Sequence, residues 1–142
     1  MKRSPLKRKP CRLKRSRLKG KSVRGKLLTE CDKLFRQIIL GERINKCERC
    51  DGAFRLQISH ILPKGRYPRL RYFKGNVILF CFPCHPEWWH KNPLEAASFI
   101  EKTRGKDYAD KLKIYDMALP KLTLHQLNIY KFVFTKELQT KD

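Results

Sequence analysis

Four of the six cysteines in this 142-residue chain fall into two short pairs, Cys47-Glu-Arg-Cys50 and Cys81-Phe-Pro-Cys84, and this spacing constrains the fold more than any other feature. Two residues between thiols allow a tight turn to aim both sulfurs at one point. Two such turns can close a tetrahedron around one cation. Disulfides are the competing reading, but they persist in exported proteins, and no apolar segment follows the basic N-terminus to complete an export signal. The expectation is a reducing cytoplasm and a structural Zn2+, whose four thiolates leave no position open for water or substrate. In so small a chain the metal also supplies folding free energy that the hydrophobic core lacks. Cys11, in a basic leader, and Cys31, on an apolar helix face, read as a free thiol and a buried apolar residue.

Charge comes next. The 34 Lys and Arg against 13 Asp and Glu give a formal net charge of +21, which repels itself in a compact fold unless a polyanion neutralises it. Nucleic acid is the expected partner. A spanning helix needs roughly 18 apolar residues, and the longest uncharged apolar run is only Val77 to Phe82, so no membrane role is expected. Residues 1–25 hold no acidic residue and only the scattered apolar residues Leu6, Leu13, Leu18 and Val23. They read as a disordered basic arm that clamps phosphates, the alternative being a solvated tail. Residues 26–142 then make one domain.

Within that domain, Leu27, Leu28, Cys31, Leu34, Phe35, Ile38 and Ile39 recur at three-and-four spacing, which predicts a helix from Lys26 to about Leu40, ended by Gly41. The segment from Phe54 to Ile61 alternates in part and predicts a strand ending near His60, before Pro63 and Gly65. A basic loop, KGRYPRLRYFKGN, leads to the β-rich NVILFCF, so the two strands make a hairpin with a long connection. Asn92 and Pro93 suit the start of a helix with Leu94, Ala97 and Ile100 on its apolar face, stopped by Gly105. Helices from about Asp107 to Ala118 and Thr123 to Leu138 follow, divided by Pro120, with Tyr108, Leu112, Tyr115, Leu127, Tyr130 and Phe134 as core contacts. The fold class is α+β.

Inside the cysteine frame stand Ser59-His60-Ile61-Leu62-Pro63, then Gly75-Asn76-Val77, then Cys84-His85, with His90 five residues on. This order resembles the HNH nucleases. The run from Ile58 to Ala97 is similar in particular to the phage recombination nucleases of the NinG (Rap) type, which act on branched DNA, and the resemblance spans roughly residues 45 to 105. It implies a zinc-stapled ββα-metal core with flanking helices. It also implies hydrolysis of a DNA phosphodiester, with His60 as general base, Asn76 as the residue that pins the loop and orients the base, and His85 as ligand to a catalytic Mg2+ or Mn2+. An imidazole with an ordinary pKa near 6.5 is mostly neutral at pH 7 and can accept a proton from water.

His90 is the alternative ligand. Many such sites carry Asp before the first His; Ser59 stands there in this chain, so the cation draws on imidazoles, waters and the substrate phosphate. His125 lies outside the frame and reads as structural. Lys64, Arg66, Arg69, Arg71 and Lys74, interleaved with aromatic residues, suit DNA contacts, while Tyr72 and Phe73 read as core. One of Trp88 and Trp89 is expected on the hairpin and the other toward DNA. Symmetric cutting of a junction would require a homodimer. Two competing functions are a sequence-reading homing or restriction-type HNH nuclease and a non-catalytic zinc module that binds DNA.

Overall fold

The computed structural model describes residues 22–43 and 45–140. Among the described residues, four α-helices and one two-stranded antiparallel sheet make a small α+β fold. The first helix, α1 (Val23–Glu42), buries Leu27, Cys31, Phe35, Ile38 and Ile39, which is the predicted stripe. Its start corrects the expected boundary of the arm: Ser22 accepts from the N–H of Gly25 as an N-cap, so residues 23–25 belong to the helix. Gly41 does not stop it, because a glycine with an ordinary helical φ only weakens a helix, and the chain leaves at Arg43. The rest of the arm, with Cys11, lies outside the described residues.

Strand β1 (Gln57–His60) pairs with β2 (Val77–Phe80), Gln57 opposite Phe80 and His60 opposite Val77. The predicted first strand is longer than the observed one, since Phe54 and Arg55 form a turn with Arg55 at φ 46°. Every residue of β2 is buried. The reason is that the hairpin is covered on both faces. Val77 joins the core of α1 and α4 (Leu124–Gln139), with Phe35, Tyr72, Leu127 and Phe134. Ile78 and Phe80 join the opposite core, with Trp88, Ile100 and three of the paired cysteines. A two-stranded hairpin is marginal alone, so these two layers hold it.

After β2 the chain forms a seven-residue π-type helix, Pro83–Trp89, and then α2 (Pro93–Arg104) and α3 (Tyr108–Ala118). The buried face of α2 is Ala96 and Ile100 with Phe99 half-buried; Leu94 and Ala97, expected there, are exposed. Tyr115, expected in the core, is also largely exposed, although its ring meets that of Phe73. Leu112, Leu127 and Phe134 are buried as predicted. Among the described residues no helix is long and apolar enough to cross a membrane.

Candidate active site and metal centre

The four cysteines Cys47, Cys50, Cys81 and Cys84 do converge: their sulfurs all lie within 4.8 Å of one another. Cys50 Sγ stands 3.5 Å from that of Cys81 and 3.6 Å from that of Cys84. Thiolates about 2.3 Å from one tetrahedral zinc stand about 3.8 Å apart, so the donor set fits that ion. Burial opposes ionisation of Cys47, but backbone N–H groups of Cys81, Arg49 and Cys50 outweigh it and bring its pKa down to about 7. Burial and the neighbouring sulfurs push Cys84 up to about 12. Four crowded thiols cannot all ionise without a cation between them.

Glu48, between the first two cysteines, ties this centre to its surroundings. One carboxylate oxygen accepts from the N–H of Leu79 on β2 (2.9 Å) and from Arg43 at the end of α1 (2.7 Å), and the other pairs with Arg104 at the end of α2.

A cleft of about 510 Å³ opens beside the sheet, lined among others by Asp32, Arg36, Ser59, His60, Lys64, Arg71, His85, Trp89 and His90. Three of the four histidines of the chain therefore face one cavity. His60, the last residue of β1, directs Nε2 at the carbonyl oxygen of Arg71, 2.8 Å away. A carbonyl only accepts, so Nε2 carries the proton and Nδ1 is left as the basic nitrogen. Burial first, then the charges of Lys64 and Arg71, hold the pKa of His60 below its ordinary value, against the opposing pulls of the Arg71 carbonyl bond and of Asp32. The shift favours the neutral ring at pH 7.

Asn76 is fully buried and grips the loop that leads away from His60. Its Oδ1 accepts from the N–H of Leu62 (2.8 Å), and its Nδ2 donates to the carbonyls of Leu62 (3.0 Å) and Leu70 (3.4 Å). Its own carbonyl accepts from the N–H of Ile61 at 2.9 Å. The side chain thus ties the start of the 61–76 connection to its middle, at Leu62 and Leu70.

His85 donates through Nδ1 to Oε1 of Gln57 (2.6 Å), which leaves its Nε2 bare. The Nε2 of His90 lies 3.1 Å from it. That distance is one of an N–H···N hydrogen bond, and it also equals the separation of about 3.0 Å between two donors that stand about 2.1 Å from one octahedral cation. The backbone explains how residues five apart meet. In an α-helix of 3.6 residues per turn they would be about 140° apart around the axis. Here the wider π-type turn, closed by the His90 N–H on the His85 carbonyl (3.4 Å), brings them to one side.

Sequence reasoning missed Asp32. It sits on α1, nearly forty positions from the loop it holds, and accepts both arms of the Arg71 guanidinium (2.8 and 2.6 Å), the Tyr72 hydroxyl (3.1 Å) and Lys64 (3.3 Å). Arg71 and Lys64 keep its carboxyl below the usual range even though burial works against this. Arg71 is also the residue whose carbonyl orients His60. No local pattern could have marked Asp32, because its partners are distant in sequence. Arg36 and Gln57 were missed for the same reason.

The five loop cations divide. Arg71 is tied to Asp32, Lys74 to Glu42 and Glu137 (2.8 and 3.0 Å), and Arg69 to the carbonyls of Asp116 and Met117. Lys64, at the cleft, also reaches Asp32 (3.3 Å) from a largely exposed position, and Arg66 is exposed beside Tyr67. Tyr72 is core and Phe73 half-buried, as expected. The expected division between the two tryptophans is not what the structure shows: both rings pack on Phe80 of β2, Trp88 at 5.9 Å and Trp89 at 5.1 Å between centroids. Trp88 is buried with its Nε1–H donating to Glu95, and half-buried Trp89 also lines the cleft. Cys31 is buried with its thiol on the Leu127 carbonyl, and His125 is exposed on α4. Comparison with family models, with curated proteins and with solved structures gives no match for the chain.

Proposed function

We propose that this chain is a metal-dependent DNA endonuclease of the HNH, ββα-metal kind, acting on branched recombination intermediates of phage DNA. The observation that carries the reading is the meeting, in one cleft, of a neutral imidazole with a bare Nδ1 and a pair of imidazoles whose Nε2 atoms are 3.1 Å apart. In this reading His60 Nδ1 takes the proton from a water whose oxygen attacks phosphorus. The P–O3′ bond breaks, leaving a 5′-phosphate and a 3′-oxygen that picks up a proton from solvent. His85 and His90 would hold a Mn2+ or Mg2+, which would supply positive charge to the phosphate oxygens as the water attacks.

Arg36 and Lys64 hold flanking phosphates, while Asn76 and the Asp32–Arg71 pair keep the base aimed. With two nitrogen donors and no free carboxylate lining the cleft, manganese serves better than magnesium. Zinc at the four cysteines is structural. Cutting a junction on both strands takes a second copy.

A DNA-binding zinc module without activity is the competing reading, and Ser59 in place of a metal-binding carboxylate is what favours it. A cleavage panel of single-stranded, duplex, flap and four-way DNA with Mn2+ or Mg2+ decides between them. The nuclease reading expects metal-dependent nicking that His60→Ala lowers by at least about a hundredfold while the protein stays folded. Nicking that survives the substitution removes His60 as base, and a parent that cuts none of these DNAs leaves the binding module.

A further inference from the structure

Beside the cysteine centre two phenylalanines point into solvent: Phe54 is 64% exposed and Phe82 40%. They are neighbours across the two knuckles, because the N–H of Phe82 donates to the carbonyl of Phe54 at 3.2 Å. Phe82 lies between Cys81 and Cys84, so a closed zinc centre fixes its backbone. Adjoining exposed aromatics cost solvation in a free protein, and a fold that fixes them in place has a surface prepared for a partner.

The surroundings say which partner. Arg55 holds its guanidinium carbon 5.0 Å from the centre of the Phe82 ring, from a backbone at φ 46° that a non-glycine residue rarely adopts. Arg49 lies over Trp88 nearby, at 4.1 Å. Arg36, a wall of the cleft, donates to the carbonyl of Leu56 (3.0 Å), the residue after Arg55, and so ties the cleft wall to the segment that carries the patch. Phe54 is three residues from Gln57, which holds His85, a span of at most about 10 Å or about three stacked bases at 3.4 Å each. A polyanion whose only apolar faces are flat rings matches aromatics set among arginines on a chain of net charge +21. In duplex DNA those faces are already covered by stacking, so the surface selects bases that are unpaired.

We propose that Phe54, Phe82 and Arg55 form a stacking platform for unpaired bases of branched DNA, a few nucleotides from the cleft. The position of the cut relative to this platform rests on the nuclease reading, whereas the binding itself does not.

The test uses the full zinc-loaded chain without added Mn2+ or Mg2+. Fluorescence anisotropy compares a blunt duplex with the same duplex carrying a single-stranded flap, and 2-aminopurine in the flap reports stacking. The parent is expected to favour the flap and to quench the 2-aminopurine. Phe54→Ala with Phe82→Ala is expected to lose about tenfold or more of flap affinity together with the quenching, with duplex binding and zinc content unchanged. The Phe54→Trp, Phe82→Trp protein keeps both.

Parental flap affinity in the double alanine variant overturns the proposal, as does an equal loss on both DNAs or a parent with no preference for the flap. Duplex nicking by the same proteins with Mn2+ is scored separately. Nicking that persists without a flap preference sinks the platform and spares the nuclease, and a flap preference without nicking does the reverse.

Discussion

An imidazole can act as a base near neutrality only if it is unprotonated and its free nitrogen is fixed, and at His60 one carbonyl and one buried setting achieve both. Because the folded pKa lies below the ordinary value, the active form persists to lower pH than a free histidine would allow. Nicking rate plotted against pH should hold steady from pH 8 downward and fall through a midpoint below 6.5, since an imidazolium cannot accept the proton. A midpoint above that value would place the titration on another group.

Asp32 should matter through Arg71 rather than through substrate. Asp32→Asn keeps the size and loses the charge that grips the guanidinium, so kcat is expected to drop by about ten- to a hundredfold with KM for DNA little changed. Nitrogen NMR of His60 should then report a mixture of tautomers. At this scale the order of residues in the chain singled out His60 and Asn76 by resemblance, and the structure places both at the 61–76 loop with bonding partners within fourteen positions. Asp32 was not singled out, since a lone acid on an amphipathic helix looks like a solvated residue until the loop folds over it.

Among the elements, the π-type turn was the least legible. Periodicity distinguishes 3.6 from 2 and has no template for one wide turn, and Pro83 and Pro86 blur even the helical signal. The helices α1 and α4 were legible because their stripes are long, and the hairpin because β2 is a pure apolar run. The loop cations were legible as charges but not as partners, since Glu42 and Glu137 reach Lys74 from two different helices. The cysteine knuckles connect all of this: one lies before β1, and the other joins β2 to the π-type turn that carries both His85 and His90. The purified protein should release one equivalent of zinc to a thiol-reactive reagent. Cys84→Ser, or a strong chelator, should lower the unfolding temperature and abolish Mn2+ binding at the histidine pair, read by electron paramagnetic resonance. Retention of tight Mn2+ binding after complete zinc loss would show that the two centres are independent.

On the scale of the whole molecule, the proposed DNA binding would draw mainly on electrostatics, given a net charge of +21 on 142 residues. Affinity for any duplex should fall by about a thousandfold or more between 50 and 200 mM salt, measured by titration at several ionic strengths. A shallow dependence would mean that the basic surface is largely neutralised by its own acids, as Arg71 and Lys74 already are. The sheet itself sets a further condition. Its strands are only four residues long, and alternate residues face opposite layers, so a slip of one position in the pairing would turn His60 away from the cleft and at once expose Ile78 or Val77 to the wrong layer. Chains that mispair at this hairpin therefore have no partly active form to populate. On the proposed reading competence is then acquired in a single event, when both knuckles and the two strands between them agree on one alignment.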